Sequence, residues 1–390
     1  MVQLLLAVIY MSYISLGLPD ALLGAAWPIM YEEFGVPISC MGVISMIISL
    51  GTIVSSLFSD RLNRRLGTGL VTAISVAMTA LALLGFSLSR SFWMLCLIAI
   101  PYGLGAGSVD AALNSYVAVH YASRHMSWLH CMWGVGAAAG PYVMGYALTG
   151  GLGWYSGYRY IGILQVALTA ILLLSLPLWK KHIGTGEEKE GKALSLGQTL
   201  RIPGVPAAML CFFCYCALEQ CAGQWASSYL VLHKGVPGET AAAYASMFYL
   251  GITAGRALSG FLTLKFSDRQ MILMGEAIVA LGVAAMLLPL GQTVSLIGLI
   301  LIGLGCAPVY PCIMHSTPDF FGAERSRAVM GLQTASASLG VLAMPPLFGL
   351  IANHISVAWL PVFLLAILLL LALMYEHLFR RGGCRTRSVP

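Results

Sequence analysis

Charge is what this chain has least of. Only 9% of its 390 residues are Asp, Glu, Lys or Arg, against 59% hydrophobic residues and a mean hydropathy of +0.85. A soluble domain carries about 25% of these four types, so a water-soluble globule is excluded. Polar runs are scarce as well, the one of any length lying between Lys180 and Pro203. Zinc-type spacing is missing: of ten cysteines, Cys211, Cys214 and Cys216 cluster inside an apolar run, but no C-x-x-C pair recurs, and no metal or other cofactor is expected. The chain has no phosphate-cradling P-loop and no nucleotide-binding domain, which excludes ATP-driven pumping. No basic lead precedes the first apolar run, which therefore reads as a spanning helix and not as a cleaved leader.

What fills the chain instead is apolar sequence in pieces of about 20 residues, the length of helix that crosses about 30 Å of hydrocarbon. Such runs begin near residues 4, 41, 67, 93, 127, 157, 204, 240, 270, 293, 326 and 355. Only helices and closed barrels satisfy their backbone within lipid. The spacing predicts an all-α membrane protein of twelve transmembrane helices in the bilayer.

The two halves repeat each other. Gly35-Val36-Pro37 recurs as Gly235-Val236-Pro237, Leu50-Gly51 as Leu250-Gly251, and Gly103-Leu104-Gly105 as Gly303-Leu304-Gly305. Further on, Gly136, Pro141 and Gly145 map onto Gly340, Pro345 and Gly349. The order and near-constant spacing predict two six-helix bundles related by a parallel repeat, with a solute site between them, the plan of a secondary transporter and not of an enzyme. The expected divisions are a first bundle at 1–179, a connecting loop at 180–203, a second bundle at 204–379 and a tail at 380–390. The GTGEEKEGK centre of the connector cannot build a core.

Lysine and arginine set the orientation, because cytoplasmic loops of membrane proteins carry the positive excess. With the N-terminus inside, thirteen of the 21 fall in even-numbered connections and four in the tail, leaving Arg90, Arg159 and Lys234 outside and Arg256 within a helix. Both termini are thus expected in the cytoplasm of a cell with a plasma (inner) membrane. The net charge of +6 reflects this topology and not nucleic-acid binding. A single chain is expected to be the working unit.

Chemistry must lie in ionisable residues kept at membrane depth, where each is costly and faces a cavity or a partner. Four stand out: Asp20, Asp110, Glu219 and Arg256. Asp20 and Glu219 are repeat mates on the first helix of each half, with Gly24 and Gly223 four residues on. Asp110 lies in the fourth helix with Asn114 one turn later on the same face. Removing a carboxylate from water disfavours its charged form, as a group that takes up and releases protons requires. Asp110, Asp20 and Glu219 are therefore the candidates for proton coupling, although carboxylates serve sodium as well. An unpaired guanidinium at this depth is too costly, so Arg256 is expected to pair with an internal carboxylate.

Neutral polar and aromatic residues surround these charges: Tyr13, Asn114, Trp27, His130, Trp133, Gln220, Gln224, Trp225, Tyr310, His315 and Gln333. Gln220 and Gln224 are one turn apart and predicted to share a site. Asp20, Asn114, His130, Trp133, Gln220, Gln224, Tyr310 and Gln333 are the candidate solute contacts. Amides and carboxylates bind hydroxyls in pairs while an aromatic plane covers an apolar ring face, a mixture suited to a sugar.

After the second helix the sequence reads SSLFSDRLNRRLG. Its order resembles the Gly-x-x-x-Asp-Arg-x-Gly-Arg-Arg signature of the major facilitator superfamily, with Ser56 and Asn63 where glycines are usual. The resemblance implies a cytoplasmic gating motif of Asp60, Arg61, Arg64 and Arg65 that stabilises an outward-facing state. Within that superfamily, Asp110 with Asn114 and the first-helix Asp20 resemble the L-fucose permease group of proton symporters, Asp110 standing for a glutamate and Ser115 for a proline. That resemblance implies proton-coupled uptake with Asp110 carrying the proton and Asp20 taking part in binding or coupling. The fifth-helix run Gly136, Gly140, Pro141, Met144, Gly145 is similar to the antiporter signature of drug exporters. A proton-driven exporter of amphipathic compounds is the alternative, with the motif itself expected to pack and bend helices.

Overall fold

The computed structural model describes residues 2–121, 123–179 and 196–381. The first half runs α1 (Val2–Asp20), α2 (Leu22–Phe34), α3 (Cys40–Leu66), α4 (Thr68–Leu88), α5 (Phe92–His120), α6 (Ser123–Thr149) and α7 (Trp154–Trp179). The second runs α9 (Val205–Leu232), α10 (Gly238–Leu262), α11 (Asp268–Leu287), α12 (Gln292–Phe321), α13 (Ala323–His354) and α14 (Leu360–Arg381), after a short α8 (Leu196–Leu200). Helices α1 and α2 are one spanning segment with a break at Ala21, so twelve segments stand where twelve were expected, each starting within five residues of its expected position. The region 180–195 lies outside the described residues, and the rest of the expected connector is not wholly irregular, because α8 occupies Leu196–Leu200.

By length and composition, nine helical segments among the described residues can cross a membrane. Those that fall short are α3, α6 and α10. These helices face the opposite half, α3 packing on α13 and α6 on α10, so a smaller share of their surface needs to dissolve in lipid.

The parallel repeat is visible in packing. In the first half α3 lies on α5, with Gly51 against the Gly103 backbone; in the second α10 lies on α12, with Gly251 against Gly303. Likewise α1 packs on α6, as α9 packs on α13. Gly136 and Gly140 are the reason that α6 approaches α1 closely: a methyl group on either would overlap the carbonyl oxygen of Ile14 or Leu18. The fifth-helix glycine motif is thus spent on helix packing.

The bundles meet tightly at one end. There a Cβ on Gly42 would lie 2.7 Å from Pro346 Cα, and one on Gly24 would lie 2.5 Å from the Gln224 carbonyl oxygen. Ser227 Oγ donates to the Ala25 carbonyl at 3.2 Å, and Gln224 Nε2 donates to Ser45 Oγ. This end carries the connections at 35–39, 150–153 and 233–237, and the opposite end carries the basic stretches at 61–65 and 265–269 with the start of α1 and the end of α14.

Candidate functional site

The break in the first spanning segment follows from Pro19. Proline has no N–H to give the Ser15 carbonyl, and its ring crowds that oxygen. The orphaned carbonyl is taken by Gln165 of α7, whose Nε2 donates to Ser15 O at 2.7 Å while Thr79 Oγ1 donates to Gln165 Oε1 at 2.7 Å. Gln165 is 1% exposed, a buried brace for the kink. Asp20, the last residue of α1, is turned by this break into the space between the bundles.

Protein surrounds Asp20 on all sides, yet solvent reaches it. Trp133 Nε1 of α6 donates to Asp20 Oδ2 at 2.8 Å, and the Tyr102 hydroxyl of α5 donates to Oδ1 at 3.3 Å. Asp110 accepts from the Tyr13 hydroxyl at 2.9 Å and from Asn114 Nδ2 at 3.0 Å, both on Oδ1. Among the described residues no lysine or arginine pairs with either acid. His130 is reached by solvent and meets the Tyr13 ring edge-on at 5.9 Å.

The cation sits on the other side. Arg256 Nη2 of α10 is 3.6 Å from Glu219 Oε1 of α9, with the two side chains 20% and 16% exposed. The expected internal partner of Arg256 is therefore Glu219. The same guanidinium lies 5.4 Å from the centre of the Trp133 ring, a cation–π contact worth about 0.5–2 kcal/mol. One tryptophan thus joins Asp20 of the first half to the charge pair of the second, and Tyr249 closes on its edge at 6.5 Å. Tyr310, the repeat mate of Asp110, meets Phe212 edge-on at 4.9 Å and lies tilted against Tyr215 at 5.8 Å. Gln220 is half-buried on the same helix as Glu219.

Other expected members lie elsewhere. Gln224 is 6% exposed and bonded to Ser45 at the closed end, so it does not converge with Gln220; one helical turn carries α9 from the cavity into the contact between halves. Gln333 is 1% exposed and its Oε1 accepts from Thr317 Oγ1 at 3.1 Å, within the second bundle. His315 is 80% exposed and bonded through Nδ1 to Asp268 at 2.6 Å, away from the cavity. Trp27 and Trp225 are interior residues, not interfacial anchors: both are fully buried, donating to the carbonyls of Ile38 at 2.8 Å and Pro345 at 3.2 Å. In the gating motif Arg65 is exposed at the end of α3, while the side chains of Asp60, Arg61 and Arg64 lie outside the described residues. No cluster of three or more metal-ligating side chains occurs among the described residues.

Besides Tyr102, one tyrosine among many in apolar runs, sequence reasoning passes over Gln165 and Glu276. Gln165 carries no local signal, because its partner is a carbonyl that Pro19 frees 150 residues away. Glu276 does carry one, as a lone acid in the middle of the α11 run MILMGEAIVALG, and it is 7% exposed.

With this geometry in hand, comparison with known proteins is informative. The model of the Major Facilitator Superfamily matches residues 9–332 and, in a second match, 208–383. The chain is 20% identical over 339 residues to the glucose/mannose transporter GlcP of Bacillus subtilis, covering 85% of this chain and 84% of that protein. It is 23% identical over 298 residues to the bypass of stop codon protein 6 of Saccharomyces cerevisiae, where the match takes in 69% of this chain but only 59% of the yeast protein. Its fold superimposes on the crystal structure of a point mutant of the nucleoside transporter NupG with a TM-score of 0.77, at 11% identity and over 96% of this chain and 98% of the other. The family's members are transporters and not enzymes, and this multi-pass membrane chain belongs to the Major Facilitator Superfamily.

Proposed function

We propose that this protein takes up a sugar or sugar-like solute together with a proton, by alternating access between the two bundles. One observation carries the reading: Asp20 and Asp110 face a solvent-reached space with only neutral donors on them, while Arg256 is committed to Glu219. Closing the bundles around two bare carboxylates costs several kcal/mol for each charge removed from water. A proton on Asp110 removes one of those charges, and a solute that donates hydroxyls to Asp20 compensates the other. Both passengers together therefore lower the barrier to closure, and neither does so alone. That is symport, with the acids as its switch and the family's alternating bundles as its machinery.

The solute class rests on the same side chains. Asp20 offers paired acceptor oxygens, Trp133 an aromatic plane, and Gln220 and His130 further hydrogen-bonding groups. GlcP, named for glucose and mannose, and NupG, named for nucleosides, are both named for solutes rich in hydroxyls. In this reading the protein works as a monomer of the L-fucose permease group, with bundles at 1–179 and 204–379. On the same reading it lies in an inner membrane with both termini in the cytoplasm and its closed end outward, an inward-open arrangement. The exporter alternative loses ground because Gly136 and Gly140 are accounted for by contact with α1.

The test is the pH of a lightly buffered suspension of expressing, de-energised cells as single sugars and nucleosides are added, in sodium and in choline medium. Alkalinisation with one solute in both media, absent in Asp110→Asn cells, is the expected result. Sodium dependence, or an Asp110→Asn protein that still concentrates the solute in a pH-dependent way, refutes the assignment.

A further inference from the structure

The central site holds more negative charge than one proton removes. Asp20, Asp110 and Glu219 bring three carboxylates, and the guanidinium of Arg256 is held by Glu219 at 3.6 Å. The other ion pairs among the described residues join Arg269 and Arg380 to Glu376, and His315 to Asp268, so none reaches the two aspartates. The Trp133 indole holds Asp20 with its N–H and Arg256 with its ring, and the two charges form no ion pair with each other. A proton on Asp110 therefore leaves one negative charge uncompensated, at Asp20.

Asp20 is also an acid that solvent reaches. Its Oδ2 accepts from Trp133 Nε1 at 2.8 Å and its Oδ1 from the Tyr102 hydroxyl at 3.3 Å, both neutral donors. A carboxylate oxygen accepts two hydrogen bonds, so each oxygen keeps a lone pair for a solute. Were that solute a neutral sugar, an asparagine would serve it as well, offering an acceptor and a donor without placing a charge at membrane depth. Hydroxyls solvate the Asp20 charge but do not cancel it. A cation does, and hydrogen bonds between charged partners are about twice as strong as those between neutral ones. The neighbouring rings suit an ammonium, which aromatic faces attract: Trp133 and Tyr249 meet edge-on at 6.5 Å, and Tyr249 lies beside both Asp20 and Glu219.

We propose that the solute is a hydroxylated primary amine of the amino-sugar type, its ammonium bound to Asp20 beside Trp133 and Tyr249 and its hydroxyls turned to Gln220 and His130. With a proton on Asp110 the loaded site is then neutral overall: Glu219 is balanced by Arg256, and Asp20 by the solute. The amine selectivity rests on the proposed solute site between the bundles, but not on its proton coupling.

The experiment is isothermal calorimetry of the full-length protein in lipid nanodiscs at neutral pH. Glucosamine and 6-amino-6-deoxyglucose are titrated against glucose and against N-acetylglucosamine, which keeps the nitrogen but not its charge. The two amines are expected to bind about 10–100-fold more tightly than the neutral sugars. Asp20→Asn is expected to bring that ratio close to one and Asp20→Glu to keep it, with thermal melts showing that both variants are folded. Glucose or N-acetylglucosamine bound as tightly as the amines, no heat from either amine, or a folded Asp20→Asn protein that keeps the wild-type ratio overturns the proposal. The suspension assay separates this outcome from the reading it builds on: amine-selective binding without solute-driven alkalinisation refutes symport alone, and alkalinisation by a neutral sugar without amine binding refutes the amine alone.

Discussion

Gly24 is where the closed end is most sensitive to a single methyl group. A Cβ there would stand 2.5 Å from the Gln224 carbonyl oxygen and 2.9 Å from Gln224 Cα, both backbone atoms of the opposite half that cannot rotate aside. Gly24→Ala therefore forces α2 and α9 apart. Overpacking of this kind costs about 1–3 kcal/mol, and since the clash exists only while this end is shut, the whole penalty falls on one of the two conformations. A differential of that size moves the ratio of closed to open about 5–150-fold toward opening. Spin labels on Glu32→Cys and Lys234→Cys, which flank the closed end, report the change by pulsed dipolar spectroscopy as a new long-distance population. Gly260→Ala is the control, because nothing lies within 4 Å of a Cβ built there, and it is expected to leave the distances alone. A Gly24→Ala protein that is folded and gives the wild-type distance distribution would refute the argument that α2 and α9 form the closure.

Arg256→Leu strands Glu219 and is expected to lower stability by up to about 3 kcal/mol, at the low end of the range for a fully buried pair because both groups are partly exposed; adding Glu219→Gln should restore most of it, and thermal melts in which single and double variants coincide would contradict the pairing. Trp133→Phe keeps the ring beside Arg256 but removes the donor at 2.8 Å from Asp20. A hydrogen bond to a charged group is worth about 1.5–3 kcal/mol, so solute affinity by calorimetry should fall roughly 10–100-fold if Trp133 sets the Asp20 geometry, and unchanged affinity argues against it. Because the proposed cycle closes only with Asp110 protonated, apparent solute affinity should strengthen on acidification and weaken as the medium becomes alkaline; Asp110→Asn should flatten this profile in equilibrium exchange, and a persistent slope places the titrating group elsewhere.

The helices were legible because lipid demands runs of a length that few other folds use, and the duplication was legible because glycines at helix contacts resist replacement by anything with a Cβ. Site chemistry was legible in outline: the acids and the arginine stand out against an apolar background. Their pairing was not, since Arg256 had three internal carboxylates to choose from and only the crossing of α9 and α10 selects Glu219. Helical spacing placed Gln220 and Gln224 on one face correctly, yet the face passes from cavity to bundle contact within that turn, and spacing holds no information about where a neighbour begins. His315 shows the same blindness, its partner Asp268 being the first residue of another helix. Glu276 was visible as a letter but silent about its consequence, because what makes it unusual is that its buried Oε1 has no hydrogen-bond partner among the described residues.

Repeat mates occupy matching places with unlike chemistry: Asp20 answers Glu219, Asp110 answers Tyr310, and Arg256 answers Ser56. The two halves have therefore lost the interchangeability with which a duplication begins. A chain assembled from two copies of the first half would confront four aspartates across its interior with no Arg256 among them, and one made from two second halves would hold two Glu219–Arg256 pairs and neither Asp20 nor Asp110. Only the mixed molecule sets the paired Arg256 opposite the two aspartates, so neither half can be replaced by its sibling.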